Sequence, residues 1–577
     1  MAAITAPPPP PPAPAAASTS HRRSRLRRAP LIRLASSSSP RRPTSSASSS
    51  SWSSSSFSGA GSGGGGEILH VSPPPPPAAP PGAPVYVTLP ADAVGPGGRV
   101  ARRRAMAASF AALAAAGVAG VAVELWWGVV EREGPGEYDW AGYLELAAMA
   151  RRYGLRVRAI LAFHQCGAGP HDPLWNSHLN GSRDCMLNLN LHNCDEKAPI
   201  FYSIWIPLPQ WVLEEMDKFP DLSYTDKHQR RNKEYISLGC DILPVLKGRS
   251  PMQAYSDFMR SFRNTFEDYL GATVTEVQVG MGPGGELRYP LCPTEKLNRP
   301  GSSSELGEFQ CYDKFMQSSL SARAQILGVQ EWGNGGPTGT DGSQKNLEET
   351  SFFRGDGGCW DTPYGRFFLE WYSGMLLLHG ERLCMIADAV FSGTGVTISG
   401  KVAGIHWHYY TCSHPSELTA GYYNTLLRDG YLPIAQMFAR YKAALCCGCF
   451  DLRDTERTDS ESSPEGTLRQ LLGAAKICNL PLNGENSVTR LDDTSLNQVI
   501  RSSRLYSGRA SGTSFSFNYV RMNKSLFEFH NWSRFTKFVR QMSDARTFLA
   551  RLDFRRGQRY LSSMSVVWVV SRACAYT

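Results

Sequence analysis

The feature that most restricts what this chain can fold into is an alternation: eight short runs of β-branched and apolar residues, each followed by a stretch with helical character. The runs are PVYVTLP from Pro84, GVAVELWW from Gly120, LRVRAILAFHQ from Leu155, VTEVQVGMG from Val274, VTISGKVAGIHW from Val396, AALCCGCFDL from Ala443, LPLNGENSV from Leu480 and SFSFNYVRM from Ser514. Between them lie helical patterns such as those from Met252 to Tyr269 and from Pro363 to Phe391. Strands that alternate with helices are joined by crossovers and so lie parallel. Eight of them fit a closed α/β barrel, a single (β/α)8 unit spanning 84–577, better than an open sheet. The surplus length over a typical barrel is then accommodated in long loops at the C-terminal face, where such barrels gather their chemistry. Glu124, His164, Glu286, His406, Asp451, Glu485 and Arg521 all fall at or just beyond the ends of the runs.

Charge at first points elsewhere. The formal net charge is +9, but Arg22, Arg23, Arg25, Arg27, Arg28, Arg33, Arg41 and Arg42 all precede the first acidic residue, Glu67. Removing these eight charges leaves +1, so the body lacks the electrostatic footprint of a nucleic-acid binder. Residues 1–66 are rich in Ser, Pro, Ala and Arg and end in a Gly run, the composition of an organelle transit peptide, which predicts a plastid-directed leader followed by a Pro-rich linker over 67–83. The apolar stretch from Ala105 to Val123 is interrupted by Gly117 and Gly120 and runs into Glu124, so a helix, a turn and a buried strand explain it better than a membrane span. Fourteen cysteines in 577 residues are too sparse for a disulfide scaffold. Cys446, Cys447 and Cys449 sit in a strand-like run without a second cluster, as small core residues would, and no metal or other cofactor is expected.

Two carboxylates carry the chemistry. In Met281-Gly-Pro-Gly-Gly-Glu286-Leu-Arg288-Tyr289-Pro290 a glycine-rich exit from a strand presents Glu286 beside Arg288. Gly280, Gly282 and Gly285 also satisfy G-x-G-x-x-G, but a dinucleotide site needs a helix to open there, and Pro283 and Pro290 argue against one. In Asn483-Gly484-Glu485-Asn486 a second carboxylate ends the seventh run. Two carboxylates facing each other across a barrel mouth suit glycoside hydrolysis, one protonating the leaving oxygen and the other working on the anomeric centre or its water.

WWG at Trp126, FHQCG at Phe163, ELRYP at Glu286, GEFQCYD at Gly307, GIHW at Gly404, ELTAGYYN at Glu417 and GEN at Gly484 occur in the same order as in the plant β-amylases, and on these motifs the chain resembles that family from about Pro84 to past Arg521. The resemblance implies an inverting exo-hydrolase that releases β-maltose from the non-reducing ends of starch chains, with Glu286 as general acid and Glu485 as general base. It also implies substrate contacts at His164, Asp172, Lys401, His406, Asn486 and Arg521, with α-1,4-glucan as the partner. Trp126, Trp127 and Trp407 can offer flat faces to pyranose rings or pack in the core.

Four departures from the family pattern bear on turnover. Glu124 stands where the family has Asp, and Gly448 where it has a Thr that contacts substrate. Leu291-Cys292 replaces the Ser-Tyr that follows the acid's RYP. The lid reads Gly167-Ala168-Gly169-Pro170-His171-Asp172, with Pro170 expected to stiffen it. The family also has no counterpart to Asn176 through Trp205; joining Trp175 to Ile206 restores DPLW-IPLPQW, as expected of a retained intron or a gene-model error. Two classes of function stay open, a starch-degrading β-amylase and a weak or inactive glucan-binding regulator that works through another starch-degrading enzyme. The family's sugar-responsive transcriptional form fits poorly, since an Arg- and Ser-rich leader without helical period is a poor groove reader.

Overall fold

The structure is a computed structural model that describes residues 82–167, 204–291, 307–337, 351–355, 357–456, 460–507, 514–544 and 548. All eight expected runs are strands: β1 (Val85–Thr88), β2 (Gly120–Trp126), β3 (Arg156–Ala162), β4 (Val274–Val279), β5 (Thr397–Val402), β6 (Ala444–Cys447), β7 (Leu482–Glu485) and β8 (Phe515–Tyr519). Each pairs in parallel with its sequence neighbours, and β8 closes on β1 through Phe517 opposite Val85 and Tyr519 opposite Val87. A helix follows every strand: α1 (Arg103–Ala115), α2 (Ala141–Arg152), α3 (Pro251–Thr265), α4 (Pro363–Phe391), α5 (Tyr431–Arg440), α6 (Pro464–Ile477), α7 (Asp493–Tyr506) and α8 (Phe529–Ser543). The stretch from Ala105 to Val123 is indeed helix, turn and strand, and no helix among the described residues is long and apolar enough to cross a membrane. The helix expected from Met252 to Tyr269 ends at Thr265 and is followed by a short 3-10 turn.

Local chemistry sets the helix boundaries. Ser250 and Gln253 form a capping box at the start of α3, and Thr362, Ser463 and Asp492 accept backbone N–H bonds at the starts of α4, α6 and α7; the first three of these helices carry Pro in the first turn. On α3, Met252, Tyr255, Phe258, Met259 and Phe262 recur at helical spacing and are buried. They pack where the outward faces of the strands meet the helix ring, together with Val121, Val157, Val277 and Val279. The expected linker ends earlier than its composition implied: Gly82 and Ala83 donate backbone hydrogen bonds to Ser543 and Met542 at the end of α8, and Ala83 is buried.

The inside of the barrel is polar. Arg158 on β3, Glu276 on β4, Ser399 on β5, Asn483 on β7 and Ser516 on β8 bond to one another across the lumen, which only inward-pointing side chains of non-adjacent strands can do. The connections over the C-terminal face carry the ribbon Ser223–Thr225 with Arg231–Ile236 and the extra helices Gln210–Lys218, Lys314–Ile326 and Pro415–Thr419.

Candidate active site

Glu485 is the last residue of β7, and Lys401 is the last but one of β5. Glu286 arrives by a different route. Beyond β4 the chain makes a 3-10 turn at Pro283–Gly285, in which Gly284 and Gly285 adopt φ of 62° and 75°, a conformation that side chains with a Cβ rarely accept. No α-helix opens there, so the G-x-G-x-x-G spacing serves the turn. The turn is pinned from outside: Glu234 accepts the Gly284 N–H at 3.0 Å, and His379, held by Asp241 at 2.9 Å, meets the Met281 carbonyl at 3.1 Å. Leu287 N–H then donates to the Lys401 carbonyl at 2.8 Å, which lays the acid-bearing segment beside β5.

The Lys401 ammonium lies between the two carboxylates, 2.9 Å from Glu485 Oε2 and 3.7 Å from Glu286 Oε1. Those two oxygens are therefore at most 6.6 Å apart, the sum of the two legs. Arg288 Nε holds the other oxygen of Glu286 at 2.7 Å. Burial by itself would raise the pKa of Glu485, but Lys401 and the amide of Asn518 more than offset it, so the carboxyl lies below its usual range and is ionised at neutral pH. Burial likewise opposes the charge on Lys401, and the two carboxylates overcome it, so the ammonium stays protonated.

His164, two residues past β3, is buried and meets Trp126 edge to face at 5.2 Å. Burial first, and then Arg288, Lys401 and Arg521, push its pKa down to about 3, so it is a neutral imidazole, and its Nδ1 finds no partner among the described residues. Arg521 and Glu124 face each other in a two-pronged pair, Nη1 to Oε2 at 2.7 Å and Nη2 to Oε1 at 2.9 Å, so both of the longer Glu124 side chain's oxygens are engaged. Asn486 spends its side chain on backbone, donating to the Val520 and Val488 carbonyls at 2.5 and 3.1 Å and accepting from Val520 N–H at 2.8 Å. His406 is buried beside Trp407, with Nδ1 2.9 Å from the Ser462 hydroxyl. At Gly448 an added Cβ would meet only the Ser487 hydroxyl, at 3.3 Å. Asp172, the lid beyond Gly167 and Cys292 lie outside the described residues.

For two of the three tryptophans the open choice between sugar face and core closes on the core. Trp126 and Trp127 belong to the core: Trp126 donates to the Ala91 carbonyl, and Trp127 donates to Glu131 and packs with Phe163, Trp211 and Tyr255. An indole N–H that must be satisfied under burial draws the ring inward. Asp451 is a loop anchor instead of a cleft carboxylate, accepting the N–H groups of Ser487 and Val488 at 2.7 and 3.0 Å. Burial nonetheless lifts its pKa to about 6. Cys446, Cys447 and Cys449 are buried, as core residues of a strand and its exit would be. The residue that sequence reasoning missed is Asn518 on β8, whose amide donates to Glu485 Oε1 at 2.8 Å and to the Thr88 hydroxyl at 2.9 Å. The alternation in SFSFNYV already placed it on one face with Ser516, but which face looks into the lumen depends on the closed barrel.

Comparison with known proteins agrees with this architecture. The family model of Glycosyl hydrolase family 14 matches residues 86–174 and 184–547. Beta-amylase 1, chloroplastic, of Arabidopsis thaliana is 48% identical over 472 residues, covering 81% of this chain and 76% of the relative. Beta-amylase 1, chloroplastic, of Oryza sativa subsp. japonica is 49% identical over 467 residues, covering 80% of this chain and 81% of the relative. Among solved structures, the catalytic domain of beta-amylase from Paenibacillus polymyxa superposes with a TM-score of 0.61 at 22% identity, over 80% of this chain and 99% of that one, and shares the fold. With a matching family model over most of its length and relatives at nearly half identity, the chain belongs to glycosyl hydrolase family 14, the β-amylase family.

Proposed function

We propose that the protein is a plastid exo-hydrolase that cleaves α-1,4-glucosidic linkages at the non-reducing ends of starch chains and releases β-maltose. The observation that carries this reading is the pair Glu286 and Glu485 at the barrel mouth, bridged by Lys401 and held to unequal environments. Glu485, ionised and fixed by Asn518, takes a proton from a water as that water attacks the anomeric carbon. Glu286, steadied by Arg288, gives a proton to the departing glycosidic oxygen from the other side. Such single displacement inverts the anomeric centre and needs room for a water between the carboxyls. The neutral His164 offers a hydrogen bond to a sugar hydroxyl without adding charge. The chloroplastic relatives and the Ser- and Arg-rich residues 1–66 support a plastid destination.

A second reading, a glucan-binding regulator of starch breakdown with little turnover, is favoured by the Glu124–Arg521 pair, which occupies both partners with each other, and by the missing side chain at Gly448. Maltose release from soluble starch by protein lacking residues 1–66 separates the two. Release that is initially of the β-anomer and is lost in Glu286→Gln and Glu485→Gln supports the hydrolase; a folded protein that binds maltooligosaccharides and releases nothing supports the regulator. We also propose that residues 176–205 are absent from the mature protein. Cys166 and Ile206 form an antiparallel bridge that flanks the segment and that a shorter loop would also close, while the family model leaves only 175–183 of this stretch unmatched. Abundant native peptides from within 176–205 would sink that idea.

A further inference from the structure

The polar layer inside the barrel lies directly beneath the base. Glu485 and Asn518 are opposite each other in the β7–β8 register, and so are Asn483 and Ser516, two residues earlier on the same faces. At about 3.3 Å per residue the second pair sits roughly 7 Å below the first. In the upper pair, one nitrogen of Asn518 bonds both Glu485 Oε1 and Thr88 Oγ1, tying the base across the seam where β8 meets β1. The carboxylate fixes the orientation of that amide, because the flipped form would set two oxygens against each other. In the lower layer, Ser516 donates to Asn483 Oδ1 at 2.6 Å and Arg158 Nη2 reaches Ser516 Oγ at 2.9 Å, Asn483 Oδ1 at 3.1 Å and Glu276 at 3.0 Å. Glu276 in turn accepts from Asn483 at 2.7 Å and Ser399 at 2.6 Å. Five strands are thus clamped one layer under the reacting carboxylate, around the buried Arg158 guanidinium, whose Nε and Nη1 have no hydrogen-bond partner among the described residues.

We infer that Asn518 and Arg158 are positioning residues for the general base, Asn518 by fixing the Glu485 carboxylate directly and Arg158 by holding a fixed positive charge in the layer on which Glu485 and Asn518 stand. The inference rests on the assignment of Glu485 as base. Its physical content is that an unbraced glutamate at this depth has several rotamers and little exposure to solvent, so a donor and a fixed positive charge both orient it and favour its ionised form. The groups that act on Glu485 are Lys401 from β5, Arg158 from β3, Asn518 from β8, and Cys446 and Cys447 from β6; Glu286 and Glu276 reach it through Lys401 and Arg158. Because Lys401 also contacts Glu286 and lines the cleft, it cannot be varied without altering the substrate site, whereas Asn518 and Arg158 can.

The test is the protonation of Glu485 itself, read as the carboxyl infrared band that disappears in Glu485→Gln, titrated in the protein lacking residues 1–66 and in Asn518→Leu, Arg158→Met and Arg158→Lys. Asn518→Leu and Arg158→Met should each move the midpoint up by about one pH unit, while Arg158→Lys, which keeps the charge, should stay near the parent. On starch, the first two should lose on the order of tenfold in kcat with KM within about twofold, and the acid limb of the rate profile should move up with the infrared midpoint. An unmoved midpoint in folded Asn518→Leu overturns the inference, as does an equal shift in Arg158→Lys and Arg158→Met. If Arg158→Met does not fold, Arg158→Gln, which keeps donors without the charge, takes its place and should show the same upward shift, and an unmoved midpoint there overturns the role given to Arg158. If the midpoint moves as expected but the parent releases no maltose, the positioning holds and the hydrolase reading fails.

Discussion

Replacing Lys401 by Met is the sharpest perturbation of the site, because it removes the cation between two carboxylates while nearly preserving the volume of the side chain. Glu286 keeps Arg288 at 2.7 Å, but Glu485 loses its 2.9 Å partner and is left with Asn518 and the more distant Arg158. A buried carboxylate that cannot be solvated escapes by taking up a proton. The cost of that escape at pH 7 is set by the distance from its ordinary value of 4.5, at about 1.4 kcal/mol per pH unit, or about 3.5 kcal/mol. This agrees with the roughly 3–5 kcal/mol generally lost when one member of a buried ion pair is removed. The sign over pH follows from the folded-state pKa. In the parent it is depressed, so Glu485 contributes stability that is present above 4.5 and lost as pH falls through the folded value; in Lys401→Met it is raised, so ionisation opposes folding above 4.5 and costs nothing below it. Urea unfolding of both proteins at pH 7 and pH 4 should therefore show a gap of about 3 kcal/mol at pH 7 that shrinks to about 1 kcal/mol or less at pH 4. Maltose release should fall by orders of magnitude in parallel. An equal gap at both pH values, or one below about 1 kcal/mol at pH 7, would refute the claim that Lys401 is what keeps Glu485 charged.

Three further changes test other parts of the site. His164, whose pKa is pushed down to about 3, stays neutral in the fold while the unfolded chain protonates below its ordinary 6.5, so stability falls with acid between those values. His164→Gln should relieve about 2 kcal/mol of that acid sensitivity at pH 5 relative to pH 8 in unfolding experiments, and an unchanged pH dependence would contradict the assignment. Gly448→Thr asks only the Ser487 hydroxyl to give by a few tenths of an ångström, so it should change stability by less than about 1 kcal/mol and lower KM for maltooligosaccharides by up to about tenfold through one added hydrogen bond. Glu124→Asp withdraws the carboxylate from its two-pronged grip on Arg521, and kcat/KM should rise by about tenfold or more if that grip keeps both side chains from the sugar; a fall would show that the pair itself holds the substrate.

How much of this was legible beforehand varies from residue to residue. The eight strands were, because runs such as VTEVQV and GVAVELW combine β-branched residues with a boundary at Gly or Pro, and local preference there agrees with burial on the outer face of the barrel. Glu286 and Glu485 were legible as candidates because strand ends in such a barrel open on one face. Trp126 and Trp127 were not, since an aromatic pair beside a cleft has the same sequence signal whether it stacks on sugar or fills the core, and the choice lay with Ala91, Glu131 and Trp211, all distant in sequence or unremarkable alone. Asp451 was legible only as a polar residue at a strand end, its role being set by two N–H groups on the neighbouring strand's loop.

By itself, the order of residues determined the element types, the closed parallel architecture and the family, all of which depend on period and on contiguous motifs that each stretch of chain carries alone. What only the tertiary structure decided is the electrostatic arrangement: Lys401 between two carboxylates, Arg521 locked to Glu124 across 397 positions of sequence, and Arg158 joined to Ser516 across 358. The physical reason is that charge–charge and hydrogen-bond energies depend on distances of a few ångströms and on the loss of water around the groups. Both are properties of the closed barrel, in which strands far apart in sequence point their side chains into one lumen.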